Sequence, residues 1–359
     1  MVVIENGLAI VFIRNTEELR NLRGQCGIMV RSFVTGGTGF VGSYIVKLLS
    51  EGNHDATILK RKSSSLSLID GLTFNSVVGD VTDPISLEEG VPEDTEWFFH
   101  NAAIMKDWGG KSEFFPVNVE GTRNVLEVIR KKDIPKLIHT SSTAVYGFPN
   151  IKSPLTEEAP WKPMNNYQRS KAAAENLINE YEETYGIRAT MIRGPTVLGK
   201  GDMFTGPQLV ERIKDENMFT FGGGSNFQSY AHGEDFAKCL ILAAEHFDIA
   251  AGQAFNVTSF NCTFRVLLEA IADEIDASKD FSNIPYAPSV AMGAAAAGLY
   301  RAFHRKNAPL LTPFRAKLFG STYIIDSVKA RENLGYEPIW DLKATVQDLV
   351  QWGGTIKAR

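Results

Sequence analysis

The sequence predicts an α/β protein, a doubly wound parallel sheet with a smaller C-terminal region that caps it. Two observations carry this expectation. Between residues 29 and 192 short apolar runs alternate with longer segments of helical periodicity, the pattern of a parallel sheet with crossover helices. The first such unit, MVRSFVTGGTGFVGSYIVKLLS (29–50), sets a glycine-rich turn between an apolar run and a helix carrying Val41, Ile45, Leu48 and Leu49 at helical spacing.

In that turn Gly36, Gly39 and Gly42 recur as GxxGxxG rather than GxGxxG, with Phe40 and Val41 between the last two. A tight turn, backbone approaching a pyrophosphate, and helix packed on strand each leave no room for a side chain. The free N–H groups and positive dipole end of the helix then face the phosphates. Residues 29–198 are therefore expected to form a Rossmann-type dinucleotide-binding domain.

Further strands are expected at 56–59, 74–78, 97–100, 136–140 and 190–192. A long helix is expected over 114–132, with Val125, Leu126 and Ile129 on one face. A second covers 165–185, its buried stripe formed by Ala173, Leu177, Ile178 and Tyr181. Residues 199–359 are less regular and read as a substrate-binding region partly interleaved with the sheet. Loops at 199–229 include Gly222, Gly223 and Gly224; helices are expected at 235–245, 264–275 and 342–352, strands at 255–257 and 323–325. Residues 289–305 are alanine-rich and weakly amphipathic. Residues 1–28 form an extension of no assigned role, with a strand expected at 8–13 and a helical turn at 16–22.

With 44% hydrophobic and 22% charged residues the composition is that of a soluble globular protein. A net charge of -5 without a basic stripe argues against a nucleic-acid partner. Cys26, Cys239 and Cys262 are scattered without metal-binding spacing, so no metal is expected, and a reducing, cytoplasmic setting is. Leu8–Ile13 lacks the basic flank and cleavage site of a secretory signal, and Val290–Tyr300 is too short to span a bilayer.

The chemistry is expected at Tyr167 and Lys171, with Ser142 just past the fifth strand. Residues four apart share a helix face, so the phenol and the ammonium address one ligand. A phenol of ordinary pKa about 10 is a poor acid or base at neutral pH; a neighbouring ammonium is expected to lower it toward proton exchange with an alcohol or ketone. Ser142 stands where open α/β sheets bind ligands and would orient the substrate oxygen. Asn118 reads as a cap opening the long helix. His100 and His139 read as structural residues at strand ends, and Asp235, beside His232, as a helix-start acid.

These residues sit in stretches that resemble the extended short-chain dehydrogenase/reductase superfamily over roughly residues 30–353: TGGTGFVG (35–42), GDVTD (79–83), HNAA (100–103), NVEGTRNVLE (118–127), HTSSTAVYG (139–147), YQRSK (167–171), RGPTVLGKGD (193–202), HGEDFA (232–237) and NLGYEP (333–338). The resemblance implies that Tyr167 is the acid/base, that Lys171 also holds the nicotinamide ribose, and that Ser142 polarises the substrate oxygen. It implies adenine contacts from Asp80 and Val81 and places Ala102 and Ala103 beside the nicotinamide. One departure is Gly194-Pro195, where the family usually has proline directly after arginine.

At the end of the second strand the chain has Leu59-Lys60-Arg61-Lys62-Ser63-Ser64 in place of an acidic residue for ribose hydroxyls. A guanidinium suits a 2′-phosphate, so NADP(H) is expected with Arg61 as the main contact, and NAD(H) is the alternative. No arginine lies between Arg212 and Arg265, where sugar-nucleotide members of the superfamily usually carry one. The tail from Asn307 to Leu318 and from Tyr323 to Glu337 resembles the 3β-hydroxysteroid dehydrogenase branch. That resemblance implies interconversion of a secondary alcohol and a ketone on a hydrophobic substrate, steroid-like, 3-keto acid or polyketide-like. It also implies a homodimer through the two long helices, and residues 290–303 would line an apolar pocket or touch a membrane surface. The alternatives are an NAD-dependent sugar-nucleotide epimerase or dehydratase, and a non-catalytic NADP-binding sensor.

Overall fold

In the computed structural model, which describes residues 29–356 except 304 and 306, strand β1 (Arg31–Thr35) leads through the glycine turn into α1 (Phe40–Glu51). The expected strand at 8–13, the helical turn at 16–22 and Cys26 lie outside the described residues. The chain continues through β2 (Asp55–Lys60), β3 (Asn75–Val78), α2 (Pro84–Gly90) and β4 (Trp97–His100). Next come α3 (Lys111–Phe115), a π-helical turn (Pro116–Glu120) and α4 (Gly121–Lys132). Then follow β5 (Lys136–Ser142), α5 (Asn166–Tyr185) and β6 (Ala189–Gly194).

These strands form a seven-stranded sheet in the order β3-β2-β1-β4-β5-β6-β10, whose last strand, β10 (Gln253–Asn256), arrives from far downstream. Every pairing in it is parallel. Successive strand side chains point to opposite faces, and the two cores follow that alternation. Val34, Phe99, Ile138 and Ile192 pack on α1 and on α7 (Gly233–Glu245). Their neighbours Phe33, Phe98, Leu137 and Met191 pack on α4 and α5. The strands are buried on both faces, which is why they read as apolar runs rather than alternations.

The remainder forms the cap. β7 (Thr196–Leu198), β9 (Phe227–His232) and β11 (Phe260–Thr263) make a three-stranded sheet in the order β11-β9-β7. β8 (Phe219–Phe221) pairs with β12 (Ser282–Ile284). Around them lie α6 (Thr205–Lys214), α9 (Phe264–Glu274), α10 (Tyr286–Ala302), α11 (Pro313–Gly320) and α13 (Leu342–Ile356), whereas α8 (Phe247–Ala250) and α12 (Val328–Leu334) join α7 in the core of the large sheet. A third apolar cluster joins α6, α9 and α13 through Leu209, Ile213, Leu268 and Leu349. Several of these strands are three or four residues long, too short to leave a period in sequence. The expected strand at 323–325 is only a pair of isolated bridges, Gln228 with Tyr323 and Leu155 with Ile325.

The long helix expected over 114–132 is interrupted, and its interruption corrects the reading of Asn118. Asn118 lies inside the π turn, fully buried, and caps nothing. Its amide accepts from Ile104 N at 2.8 Å and donates to Ile104 O at 3.0 Å and Ser170 Oγ at 2.9 Å. The extra residue of a π turn re-aims one side chain without ending the helix, and such turns recur at functional sites.

Candidate active site

The site begins with backbone. Gly36 has φ 70°, and a Cβ there would lie 2.8 Å from Ala102 N. A Cβ on Gly42 would lie 2.0 Å from Gly36 O. The turn is braced by the end of β4, where Asn101 Nδ2 donates to Gly36 O at 3.2 Å and Ala102 N donates to Thr35 Oγ1 at 3.2 Å. Gly39 is the N-cap of α1 and offers no side chain, so the helix start is left open. It opens on a cavity of about 990 Å³. Every candidate taken from the sequence lines this cavity except Gly42, which sits behind the turn and packs on the Gly36 carbonyl. Packing against that carbonyl by itself requires a glycine there. The cradle fits a dinucleotide: a side chain at either glycine would collide with backbone, and among the described residues no side chain caps the helix start.

Tyr167 is in the first turn of α5. Asn165 Oδ1 accepts from Gln168 N at 2.9 Å, and Gln168 Oε1 accepts from Asn165 N at 3.3 Å, a reciprocal cap that fixes where the helix begins. Ser142, the last residue of β5, accepts from Ala144 N at 3.1 Å and donates to Gly194 O at 3.4 Å. Burial raises the pKa of the Tyr167 phenol, and its hydrogen bond with Ser142 pulls it back. Lys171 Nζ donates to Thr140 O at 2.6 Å and lies 3.4 Å from His139 Nε2. Burial lowers the Lys171 ammonium to about 8, opposed by the charge of Glu175. The expected lowering of the phenol by Lys171 is thus absent in the free protein. The ammonium is turned to a backbone carbonyl, and the phenol keeps its proton at neutral pH.

Sequence reasoning missed the charges beneath this pair. Glu175, one helical turn after Lys171, is fully buried and grips Arg193 with two oxygens: Arg193 Nε at 3.0 and 3.2 Å, and Nη2 at 2.6 Å. Ser141 Oγ donates to the same carboxylate. Arg193 Nη1 donates to Tyr146 Oη at 2.9 Å and to Glu157 O at 3.1 Å. The signal was available, since Glu175 follows Lys171 at i+4 on a helix face that also carries Ala172 and Ile178. The unusual Gly194-Pro195 order also has a cause: a Cβ on Gly194 would meet the Phe236 ring at 2.5 Å.

Other residues take roles away from the cavity. His232, rather than Asp235, caps α7, its Nδ1 accepting from Glu234 N at 3.1 Å. Its Nε2 lies 3.0 Å from Asp348, whose carboxylate also receives Lys200 N and the Tyr44 hydroxyl. Asp235 clasps Ser259 Oγ at 2.6 Å and the backbone of Ile339 and Trp340. The His100 and His139 rings lie 5.1 Å apart, tilted at 43°, beneath Lys171; His100 Nδ1 is 2.9 Å from Thr35 Oγ1, and Nε2 is 2.9 Å from Thr122 Oγ1. Burial, then the Lys171 charge, pushes His100 down to about 3 and His139 in the same direction.

A profile of the NAD dependent epimerase/dehydratase family matches residues 32–258. The chain belongs to that family. A 4-hydroxy-2-methyl-3-oxo-4-farnesyl-3,4-dihydroquinoline-1-oxide ketoreductase of Stigmatella aurantiaca is 26% identical over 311 residues, 86% of this chain and 92% of that protein. A decarboxylating sterol-4-alpha-carboxylate 3-dehydrogenase of Candida albicans is 25% identical over 339 residues, 89% of this chain and 96% of that one. The crystal structure of a UDP-glucose 4-epimerase with UDP-glucose, from Thermotoga maritima, superposes with a TM-score of 0.73 at 20% identity, covering 91% of this chain and all of the other. The chain is an extended short-chain dehydrogenase/reductase, an enzyme acting on CH–OH groups, and is also similar, at 25% identity over 353 residues, 91% of this chain and 80% of that protein, to a 3beta-hydroxysteroid-dehydrogenase/decarboxylase of Arabidopsis thaliana.

Two expectations follow from the geometry. Gly42→Ala drives a methyl into the Gly36 carbonyl, so urea unfolding should show a loss of about 1–3 kcal/mol, with weaker dinucleotide binding. The two buried imidazoles titrate near 6.5 when unfolded and well below that when folded. Between those values the unfolded state binds more protons, so stability falls as pH falls below 6.5. Each imidazole contributes about 1.4 kcal/mol per pH unit, and His100→Gln should flatten the slope of stability against pH between 6.5 and 5 by about that amount.

Proposed function

We propose that the chain is an NADP(H)-linked oxidoreductase interconverting a secondary alcohol and a ketone on a hydrophobic substrate. The observation that carries this reading is one cavity in which Ser142, Tyr167 and Lys171 meet apolar walls that include Phe148, Leu209, Phe219, Leu311 and Phe314. Phe148 is held at φ 54°, an uncommon backbone for a bulky residue, and its ring packs edge-on to Phe314 at 5.3 Å and tilted against Tyr323 at 5.1 Å. The cap thereby turns an aromatic side chain toward the substrate.

A nicotinamide bound in the glycine cradle would supply the hydride chemistry. The chain's own residues handle oxygen and proton. Ser142 holds the substrate oxygen by hydrogen bonding, and Tyr167 exchanges the proton with it. Because burial leaves the phenol protonated at neutral pH, Tyr167 starts in the state that donates to a developing alkoxide, the reductive direction. Lys171 keeps a positive charge beneath the site below its pKa of about 8. Cofactor preference is read from Arg61 and Ser64, which both line the cavity past β2. The Ser64 hydroxyl accepts from Arg61 N at 3.1 Å, which shapes that turn. Asp55 stands at the start of β2, ion-paired with Arg31 at 3.8 Å, away from any ribose.

A second reading, an NAD-dependent sugar-nucleotide epimerase, is supported by the relatives of that name. The same experiment decides between them. Titrating the protein with NADPH and NADH and adding hydrophobic ketones should show NADPH preferred and consumed. Arg61→Ala should weaken NADPH binding about tenfold or more while sparing NADH. Tyr167→Phe should lower ketone reduction by about 10²-fold or more with binding retained, and full turnover would remove its role. Protein carrying NAD as purified, and consuming none, would favour the epimerase.

Assembly and location extend the reading. The helices α4 and α5 pack side by side on one face of the sheet and would form a homodimer surface. The helix α10 leaves Leu299 60% and Phe303, just after it, 72% exposed, a face suited to a membrane surface. Among the described residues no helix is long and apolar enough to cross a membrane. Sedimentation should give a dimer, and vesicles should pellet the protein unless Leu299 and Phe303 are both changed to serine.

A further inference from the structure

The apolar arm of the cavity contains a positive charge that the reading above does not use. The helix α6 turns one face into it: Thr205, Gln208, Leu209 and Arg212, at i, i+3, i+4 and i+7, all line the wall. Arg315, on α11, lines the same arm. The two guanidiniums differ in how they are held. Arg315 is paired through Nε with the Asp107 carboxylate, and its Nη1 donates to the carbonyls of Pro309 at 3.3 Å and Leu310 at 3.2 Å, so its charge is already matched. Arg212 is half-buried and lies over the Phe219 ring at 5.5 Å. Among the described residues no carboxylate forms an ion pair with it.

That arrangement is costly without a ligand. Partial burial and the nearby Arg315 both disfavour the charged Arg212 guanidinium, and a charge against apolar walls calls for a partner. A planar guanidinium with free donors matches a carboxylate, which it can grip with two parallel hydrogen bonds. Leu209, Phe219, Phe314 and Leu318 line the same cavity and offer apolar surface to the body of a ligand.

We propose that Arg212 receives a carboxylate on the hydrophobic substrate, remote from the carbon that Tyr167 serves, so that the chain acts on amphiphilic acids. This rests on the reading of the apolar arm as the substrate site. A nucleoside diphosphate is disfavoured because the same walls are aromatic and aliphatic.

The test uses 11-(dansylamino)undecanoic acid and its methyl ester, titrated by fluorescence into the NADPH-loaded protein. The acid should bind about tenfold tighter than the ester, and Arg212→Met should bring the two to equal affinity. Arg212→Lys, which keeps the charge but loses the fork, should retain part of the preference. Equal binding of acid and ester in the wild type, binding of neither, or a preference that survives Arg212→Met would overturn the proposal. UDP displacing the acid in an Arg212-dependent way at lower concentration than any fatty acid would also overturn it, assigning the subsite to a diphosphate. A wild-type preference for the acid without ketone-dependent NADPH oxidation would leave the subsite standing and remove the reductase reading.

Discussion

The site depends on one buried ion pair. Arg193 at the end of β6 and Glu175 on α5 meet in the interior, with 4% and 0% of each residue exposed. Around them converge the end of β5 through Ser141, the turn after it through Tyr146, the following loop through Glu157, and β10 through the bond from Tyr146 Oη to Asn256 Oδ1 at 2.9 Å. Removing one partner of such a pair leaves an uncompensated buried charge, which costs about 3–5 kcal/mol. The pair also fixes how α5 lies against the sheet, and with it the distance between Ser142 on the sheet and Tyr167 on the helix. Positioning of reacting groups thus rests on electrostatics a layer below them.

That lower layer explains the pattern of protonation. Lys171, His139 and His100 form a column of groups that would all carry charge in water at mildly acidic pH, yet two of the three are forced neutral. One positive charge is retained, and Glu175 at the next turn favours it. The cavity above therefore has a polar floor of controlled charge at one end and aromatic walls at the other.

Much of this was legible in the sequence because it is local. The strand–turn–helix of residues 31–51 is fixed by short-range periodicity and by glycines that no side chain could replace, and Tyr167 and Lys171 are linked by helical spacing alone. What escaped was long-range. Arg193 and Glu175 are 18 residues apart, and only the fold shows that they touch. Asn118 resembled a cap because a π turn and a helix start both welcome asparagine. The packing demand at Gly42 was hidden because packing and binding call for the same missing side chain. The ammonium beside Tyr167 was assigned the wrong effect because spacing says which face a lysine shares, not which carbonyl its amine will choose.

The carboxylate of Asp348 on α13 reaches back to Tyr44 on α1, to Lys200 after β7 and to His232 before α7. The helix that begins the nucleotide cradle is thus fastened by residues made some three hundred positions later. On the ribosome, the first α/β units can pair as they emerge, but this fastening must wait until α13 has left the exit tunnel. A chain released before that point would leave Tyr44 unfastened and the apolar cluster of α6 and α9 without Val346 and Leu349. Quality control that recognises exposed apolar surface would then meet an unfinished enzyme before any cofactor did.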